Sequence, residues 1–262
     1  MTEALNKTGT VIRDGSYVVK KYDNLSKQDY KILRQKLEIG KGMKPIEGLV
    51  TPIDFITDGN KVKESYYPYV EGINFADYIN KNGVNLSLDI ICDYIHKLEN
   101  LLKKCHCEDI ILPDFLTGGN LLYNPITKKI NAVDYDGMQV KELPSFGISD
   151  FIYKPHNIVL LRGQKYYRNG LYTKNIDVYS LYIAFFYYTT KFNIPNDPDL
   201  KNTLYSYLKT TNLLGTTISK KMLDIYNLKV DNSYFDEDIL KIGSQYELSN
   251  NMPGMPRVFI RK

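Results

Sequence analysis

The sequence predicts an α+β chain whose first third is rich in strands and whose remainder is mainly helical. Three observations predict it. Apolar runs of strand character flank an Asp14-Gly15 turn, and again an Asp58-Gly59-Asn60 turn. Residues 88–105 carry Ile91, Ile95, Leu98 and Leu102 at the spacing of a long amphipathic helix. After Asn175 the run IAFFYY is apolar on all sides, as a buried helix requires.

Taken in order, residues 9–13 and 16–22 form a hairpin, with Val18 and Lys20 on one face and Val19 and Lys21 on the other. Ser26 is the N-cap of a following helix, with Asp29 three residues on. Tyr30, Leu33 and Leu37 give that helix its apolar stripe; it ends near Gly40, with Glu38 in its last turn. Residues 49–57 and 62–70 are two more strands, Glu71-Gly72 breaks the pattern, and from Ile73 the character turns helical. Residues 121–123 and 130–133 are two short apolar strands joined by a turn at Asn124-Pro125.

A chain of 262 residues suffices for one large domain or two closely packed lobes. The net charge of +4 is a mild excess, and Lys20-Lys21, Lys103-Lys104 and Lys220-Lys221 are short, scattered runs of solvated surface that do not single out nucleic acid. No apolar stretch reaches the roughly eighteen residues of a membrane span, and the opening MTEALNKTGT lacks a signal-peptide core. A cytoplasmic protein without a membrane partner is the expectation. Three cysteines, Cys92, Cys105 and Cys107, are too few and too odd for a disulfide framework. Cys105-His106-Cys107 fits no common zinc spacing, so structural thiols are expected.

Residues 112–137 concentrate the chemistry. The short hairpin brings the carboxamide of Asn120 and the carboxylate of Asp134 to one end. Two oxygen ligands there, with nucleotide phosphates completing the shell, suit Mg²⁺, which takes few protein ligands. Asp114 lies just upstream, where a carboxylate could accept a proton from a hydroxyl nucleophile. Spacing alone is equally compatible with a hairpin bearing solvated acids.

The order Leu112-Pro113-Asp114, Asn120, Asp134-Tyr135-Asp136 resembles the catalytic core of the eukaryotic-type protein kinase superfamily. That resemblance implies a bilobal protein kinase-like fold in a single domain 1–262, with a small β-rich N-lobe (1–71), a larger helical C-lobe (72–262) and ATP with Mg²⁺ between them. Tyr17-Val18-Val19-Lys20 resembles the strand whose lysine contacts the phosphates; Val18 then touches the adenine. Glu38, eighteen residues later, falls where the family's first helix supplies that lysine's partner. Tyr66-Tyr67-Pro68-Tyr69-Val70-Glu71-Gly72 looks like the hinge, with Tyr67 as gatekeeper and the Pro68 carbonyl and Val70 main chain facing the base. Asn175-Ile176-Asp177-Val178-Tyr179-Ser180-Leu181 resembles the start of the buried central helix, whose aspartate braces the catalytic loop. In these terms Asp114 is the base, Lys20 and Glu38 complete the catalytic set, and Asn120, Asp134 and Asp136 are candidate metal ligands.

The departures are specific. Gly9 alone represents the glycine-rich phosphate loop, Pro113 replaces the catalytic-loop arginine, and no Ala-Pro-Glu ends residues 138–173. Leu116 stands where a cation usually stabilises the transferring phosphoryl group, and Asp136 replaces a glycine, as in small-molecule kinases. The implied function is ATP- and Mg²⁺-dependent phosphotransfer by a divergent serine/threonine protein kinase acting on a protein substrate or partner. The alternatives are a pseudokinase scaffold or a small-molecule kinase of the aminoglycoside or choline type.

Overall fold

Gly15, at φ 61, takes the left-handed conformation that the Asp14-Gly15 turn demands, and the chain folds back on itself there. In the structure, a computed structural model, the described residues are 3–6, 9–82, 87–115, 119–146, 167–190, 206, 209, 220, 234–249 and 258–261. Strands β1 (Glu3–Asn6), β2 (Gly9–Asp14) and β3 (Tyr17–Tyr22) run antiparallel. β4 (Asp54–Asp58) and β5 (Lys61–Pro68) complete a five-stranded sheet of order β1-β2-β3-β5-β4. The β3–β5 register sets Lys20 against Ser65 and Val18 against Tyr67.

Ser26 caps α1 (Lys27–Gly42), its hydroxyl accepting the Asp29 N–H at 3.1 Å. The helix packs on β5 and buries Tyr30, Leu33, Lys36, Leu37 and Gly40. A Cβ on Gly40 would come within 2.6 Å of the Tyr135 ring and 2.7 Å of Pro52, so glycine there lets the helix approach closely. The strand expected from residue 49 starts only at Asp54. Residues 48–50 instead join the later hairpin: Val50 donates to the Ala132 carbonyl at 2.9 Å, and Ala132 to that of Gly48 at 2.7 Å.

Helical structure was expected from Ile73; β6 (Ile73–Asn74) comes first and pairs with β8 (Leu121–Asn124), followed by α2 (Phe75–Asn82). α3 (Leu88–Cys107) runs on through the core and leads into β7 (Ile110–Ile111). β8 and β9 (Lys129–Ala132) form the predicted hairpin, its turn held by Asn124 Oδ1, which accepts the N–H groups of Ile126 and Thr127, each at 3.0 Å. β10 (Gln139–Val140) pairs with β7. β11 (Tyr167–Arg168) pairs with β12 (Leu171–Tyr172), and α4 (Asn175–Thr190) follows. α5 (Asp238–Gln245) and the hairpin of β13 (Tyr246–Ser249) and β14 (Val258–Arg261) close the described chain.

α3 is the hub of the helical part and packs against α4 and α5. Ile91, Ile95, Leu98 and Leu102 are fully buried, as their spacing requires. Phe75 stacks on Tyr94 at 3.6 Å between centroids and meets Tyr123 and Tyr188 edge-on, joining α2, α3, β8 and α4. The chain is thus mixed α+β, an antiparallel sheet preceding the main helices. Among the described residues no helix is long and apolar enough to cross a membrane. Cys92 and Cys105 are buried free thiols and Cys107 is exposed; no group of three or more His, Cys, Asp or Glu side chains is arranged for a metal, again among the described residues.

Candidate functional site

Lys20 and Asp134 are 114 residues apart in sequence and 2.5 Å apart in space. Lys20 is delivered by β3 from the buried face of the sheet, 3% exposed. Asp134 follows β9 and adopts a left-handed conformation (φ 68, ψ 42), which aspartate tolerates at a cost of about 1 kcal/mol. Tyr135–Gly137 then form a 3₁₀ turn. A Cβ on Gly137 would lie 2.4 Å from Asp134 Oδ2, so the glycine leaves that carboxylate its place above the turn.

Asp136 is fully buried, with Oδ2 2.7 Å from Lys20 Nζ and Oδ1 accepting the Tyr67 hydroxyl at 3.0 Å. Burial pulls the Lys20 amine down, but the Asp136 and Asp134 carboxylates outweigh it and hold the ammonium above its ordinary range. The two acids divide. Burial raises Asp136, yet Lys20 and the Tyr67 hydroxyl prevail and keep it below the usual carboxylate range. Asp134 moves upward, through burial and the neighbouring charge of Asp136, against the pull of Lys20. Its side chain remains 21% exposed, so Asp134 is the carboxylate with more to gain from an added cation.

Asn120 stands at the same end of the hairpin, where the Val133 N–H donates to its carbonyl at 2.9 Å. Its side-chain amide donates to the main-chain carbonyl of Asp114 at 3.0 Å, which orients the carboxamide and fixes the loop carrying Asp114. Asp114 is half-buried. The Leu112 N–H donates to both oxygens of Asp177, at 3.2 and 3.0 Å, so a buried acid in the first turn of α4 grips the same loop. Asp177 also pairs with His106 Nε2 at 2.8 Å, and His106 Nδ1 with the Tyr234 hydroxyl. Asp114, Asn120, Asp134, Asp136, Lys20 and Asp177 therefore belong to one connected region.

Glu38 does not. It pairs with Arg34 at 2.9 Å and is 51% exposed, while Lys20 pairs with Asp134 and Asp136. The helix explains this correction: residue 38 lies about 100° round from Leu37, off the buried stripe, and four residues from Arg34. Lys36 occupies the inward position instead. It is fully buried and donates to the main-chain carbonyls of Asp136 at 3.0 Å and Met138 at 2.6 Å, beneath the Phe146 ring. Burial pulls its amine down to about 7, against the raising effect of Asp136 and Asp134. Its place three residues after Leu33 and four before Gly40 was the available signal.

Val18 is half-buried and packs on the core, and Val70 does the same beyond β5. Pro68 ends β5, exposed, opposite Tyr17. Tyr67 is buried and its hydroxyl is committed to Asp136, a contact absent from the sequence reading. Gly9 opens β2; a Cβ there would fall 1.6 Å from the Lys21 carbonyl oxygen, so the sheet itself demands this glycine. Leu116, which raised the question of a missing cation, lies outside the described residues. No protein-family model matches the chain, and no curated protein matches it.

Proposed function

We propose that the chain is an ATP- and Mg²⁺-dependent phosphotransferase of bilobal, protein kinase-like architecture, with a serine or threonine hydroxyl of a protein as acceptor. The observation that carries this reading is the meeting of Lys20 with Asp134 beside Asn120 and the Asp114 loop. A buried cation from a sheet, facing a hairpin whose acid and amide share one end, is an arrangement suited to a nucleotide triphosphate and its metal. Asn120 and Asp134 are the residues that would hold Mg²⁺: a partly exposed carboxylate held above its ordinary range, and a carboxamide already oriented through its amide nitrogen. ATP supplies the phosphoryl group. Lys20 would neutralise phosphate oxygens as a point charge. Asp114 accepts the proton of the attacking hydroxyl as its oxygen bonds to the γ-phosphorus and the bond to the bridging oxygen breaks. Asp177, by holding the Leu112 N–H, keeps the Asp114 loop in register for that transfer.

A non-transferring nucleotide-binding module is the second reading. It is favoured by the commitment of Lys20 to two carboxylates, which leaves the ammonium already neutralised. Calorimetry of ATP binding with and without Mg²⁺, on wild type and Asp134→Ala, tests the shared part. Mg²⁺-dependent binding that disappears in the variant is expected; a folded wild type that binds no ATP would remove the proposal. Asp114→Ala separates the readings, because a transferase keeps binding and loses phosphoryl transfer.

A further inference from the structure

Two buried charges beside Lys20 have no assignment in the chemistry above. Asp136 is fully enclosed, with one oxygen on Lys20 and the other on the Tyr67 hydroxyl. Lys36 is equally enclosed and holds the carbonyls that bracket the end of the same turn, at Asp136 and Met138. Asp136 was expected to add a carboxylate to the metal, but it is fully enclosed and its Oδ2 already faces the Lys20 ammonium at 2.7 Å, where a second cation would be repelled. Asp134, at the exposed rim, is not enclosed in this way.

We propose that Asp136 is a positioning residue that anchors Lys20, the role first expected of a helix carboxylate, and that Lys36 fastens α1 to the main chain of the turn carrying Asp136. This rests on the reading of Lys20 as a phosphate ligand. A lysine is a flexible point charge, and a buried acid at 2.7 Å removes most of its freedom before any ligand arrives. The Tyr67 hydroxyl fixes that acid in turn, from the strand paired with β3. The groups around Lys36 fit a structural tie. Asp136 and Asp134 face it from the turn and Lys20 from β3, Phe146 covers it, and Glu38 on its own helix is engaged by Arg34. Even as a neutral amine it retains two N–H donors, one for each carbonyl.

The test follows the mobility of the Lys20 side-chain methylene groups by ¹³C relaxation in ¹³C-lysine-labelled protein at one fixed pH, alongside ATP calorimetry with and without Mg²⁺, for wild type, Asp136→Asn, Asp134→Asn and Tyr67→Phe. Asp136→Asn is expected to free the Lys20 methylenes and to weaken ATP by about tenfold, to a similar extent with and without Mg²⁺. Asp134→Asn also alters a partner of Lys20, so it is expected to loosen the methylenes less than Asp136→Asn does, and it is set apart by losing the gain due to Mg²⁺. Tyr67→Phe removes the donor to Asp136 together with the hydroxyl's interactions with Ser65 and Tyr22, should loosen Lys20 by less, and serves if Asp136→Asn does not fold. Unchanged Lys20 mobility in Asp136→Asn, or in Tyr67→Phe where only that variant folds, overturns the anchor. So does an Asp136→Asn protein that loses the Mg²⁺ gain alone, which makes Asp136 a metal ligand. If wild type binds no ATP, the functional reading fails, and the mobility of Lys20 still decides whether Asp136 anchors it.

Discussion

Lys36 makes folding stability depend on pH in a direction that can be read in solution. Its amine is drawn down to about 7 by burial, below the 10.5 of an unfolded lysine. Between those values the unfolded chain holds a proton that the folded chain has released, so stability rises with pH. The expected slope grows above pH 7 toward about 1.4 kcal/mol per pH unit. Urea unfolding of wild type and Lys36→Met from pH 6.5 to 8.5 checks this, and the variant should lose that contribution to the slope. The Cys105 thiol, pushed up by burial, acts in the opposite sense as the unfolded thiol begins to ionise at the top of this window, but it does so in both proteins, so the difference between them reports Lys36. Glu38, half in solvent and paired only along its own helix, should matter little. Glu38→Gln is expected to change ATP affinity by less than about twofold in the same calorimetry, since exposed helical pairs contribute little.

At the scale of elements, α1 and the 134–138 turn are coupled by close approach as well as by Lys36. Gly40→Ala would ordinarily favour a helix by about 1 kcal/mol. Here the new methyl would press on Tyr135 and Pro52, so a net loss of about 1–3 kcal/mol is expected in denaturant unfolding. α3 is tied to the end of the chain by Glu99, a fully buried carboxylate that accepts the N–H groups of Phe235 and Asp236, at 2.8 and 2.9 Å, and the Lys103 ammonium at 2.6 Å. Glu99→Ala strands two main-chain donors and should cost about 2–4 kcal/mol by the same measurement. These elements were legible because their signals are local. The Asp14-Gly15 turn, the Ser26 cap and the stripe Ile91, Ile95, Leu98, Leu102 each act within a few residues. Where local signals competed, the reading slipped. Residues 49–50 have strand character, but the Val50 N–H goes to the hairpin at Ala132 and the Leu49 N–H to the Ile46 carbonyl rather than to β5.

Across the whole molecule, Asp177 links regions that the sequence leaves far apart. It receives the Leu112 N–H and pairs with His106, which in turn meets Tyr234 near the last described helix. Asp177→Asn would replace an acceptor-only group by one that is half donor, loosening the Asp114 loop and its link to the end of the chain together. The sequence by itself determined the α+β character of the chain and the hairpin that sets Asn120 beside Asp134. Both follow from turn chemistry or a short hydrophobic period, whereas the choice of Lys20 over Lys21 came from the resemblance alone, because β3 buries Val19 and Lys20 on opposite faces. Only the tertiary structure decided the partner of Lys20. That choice depends on the rotation of α1 about its own axis, which aims Lys36 inward and leaves Glu38 with Arg34, and on the left-handed step at Asp134 that brings Asp136 beneath the sheet. Neither angle is written in the spacing of residues, because both are set by packing between segments about a hundred positions apart.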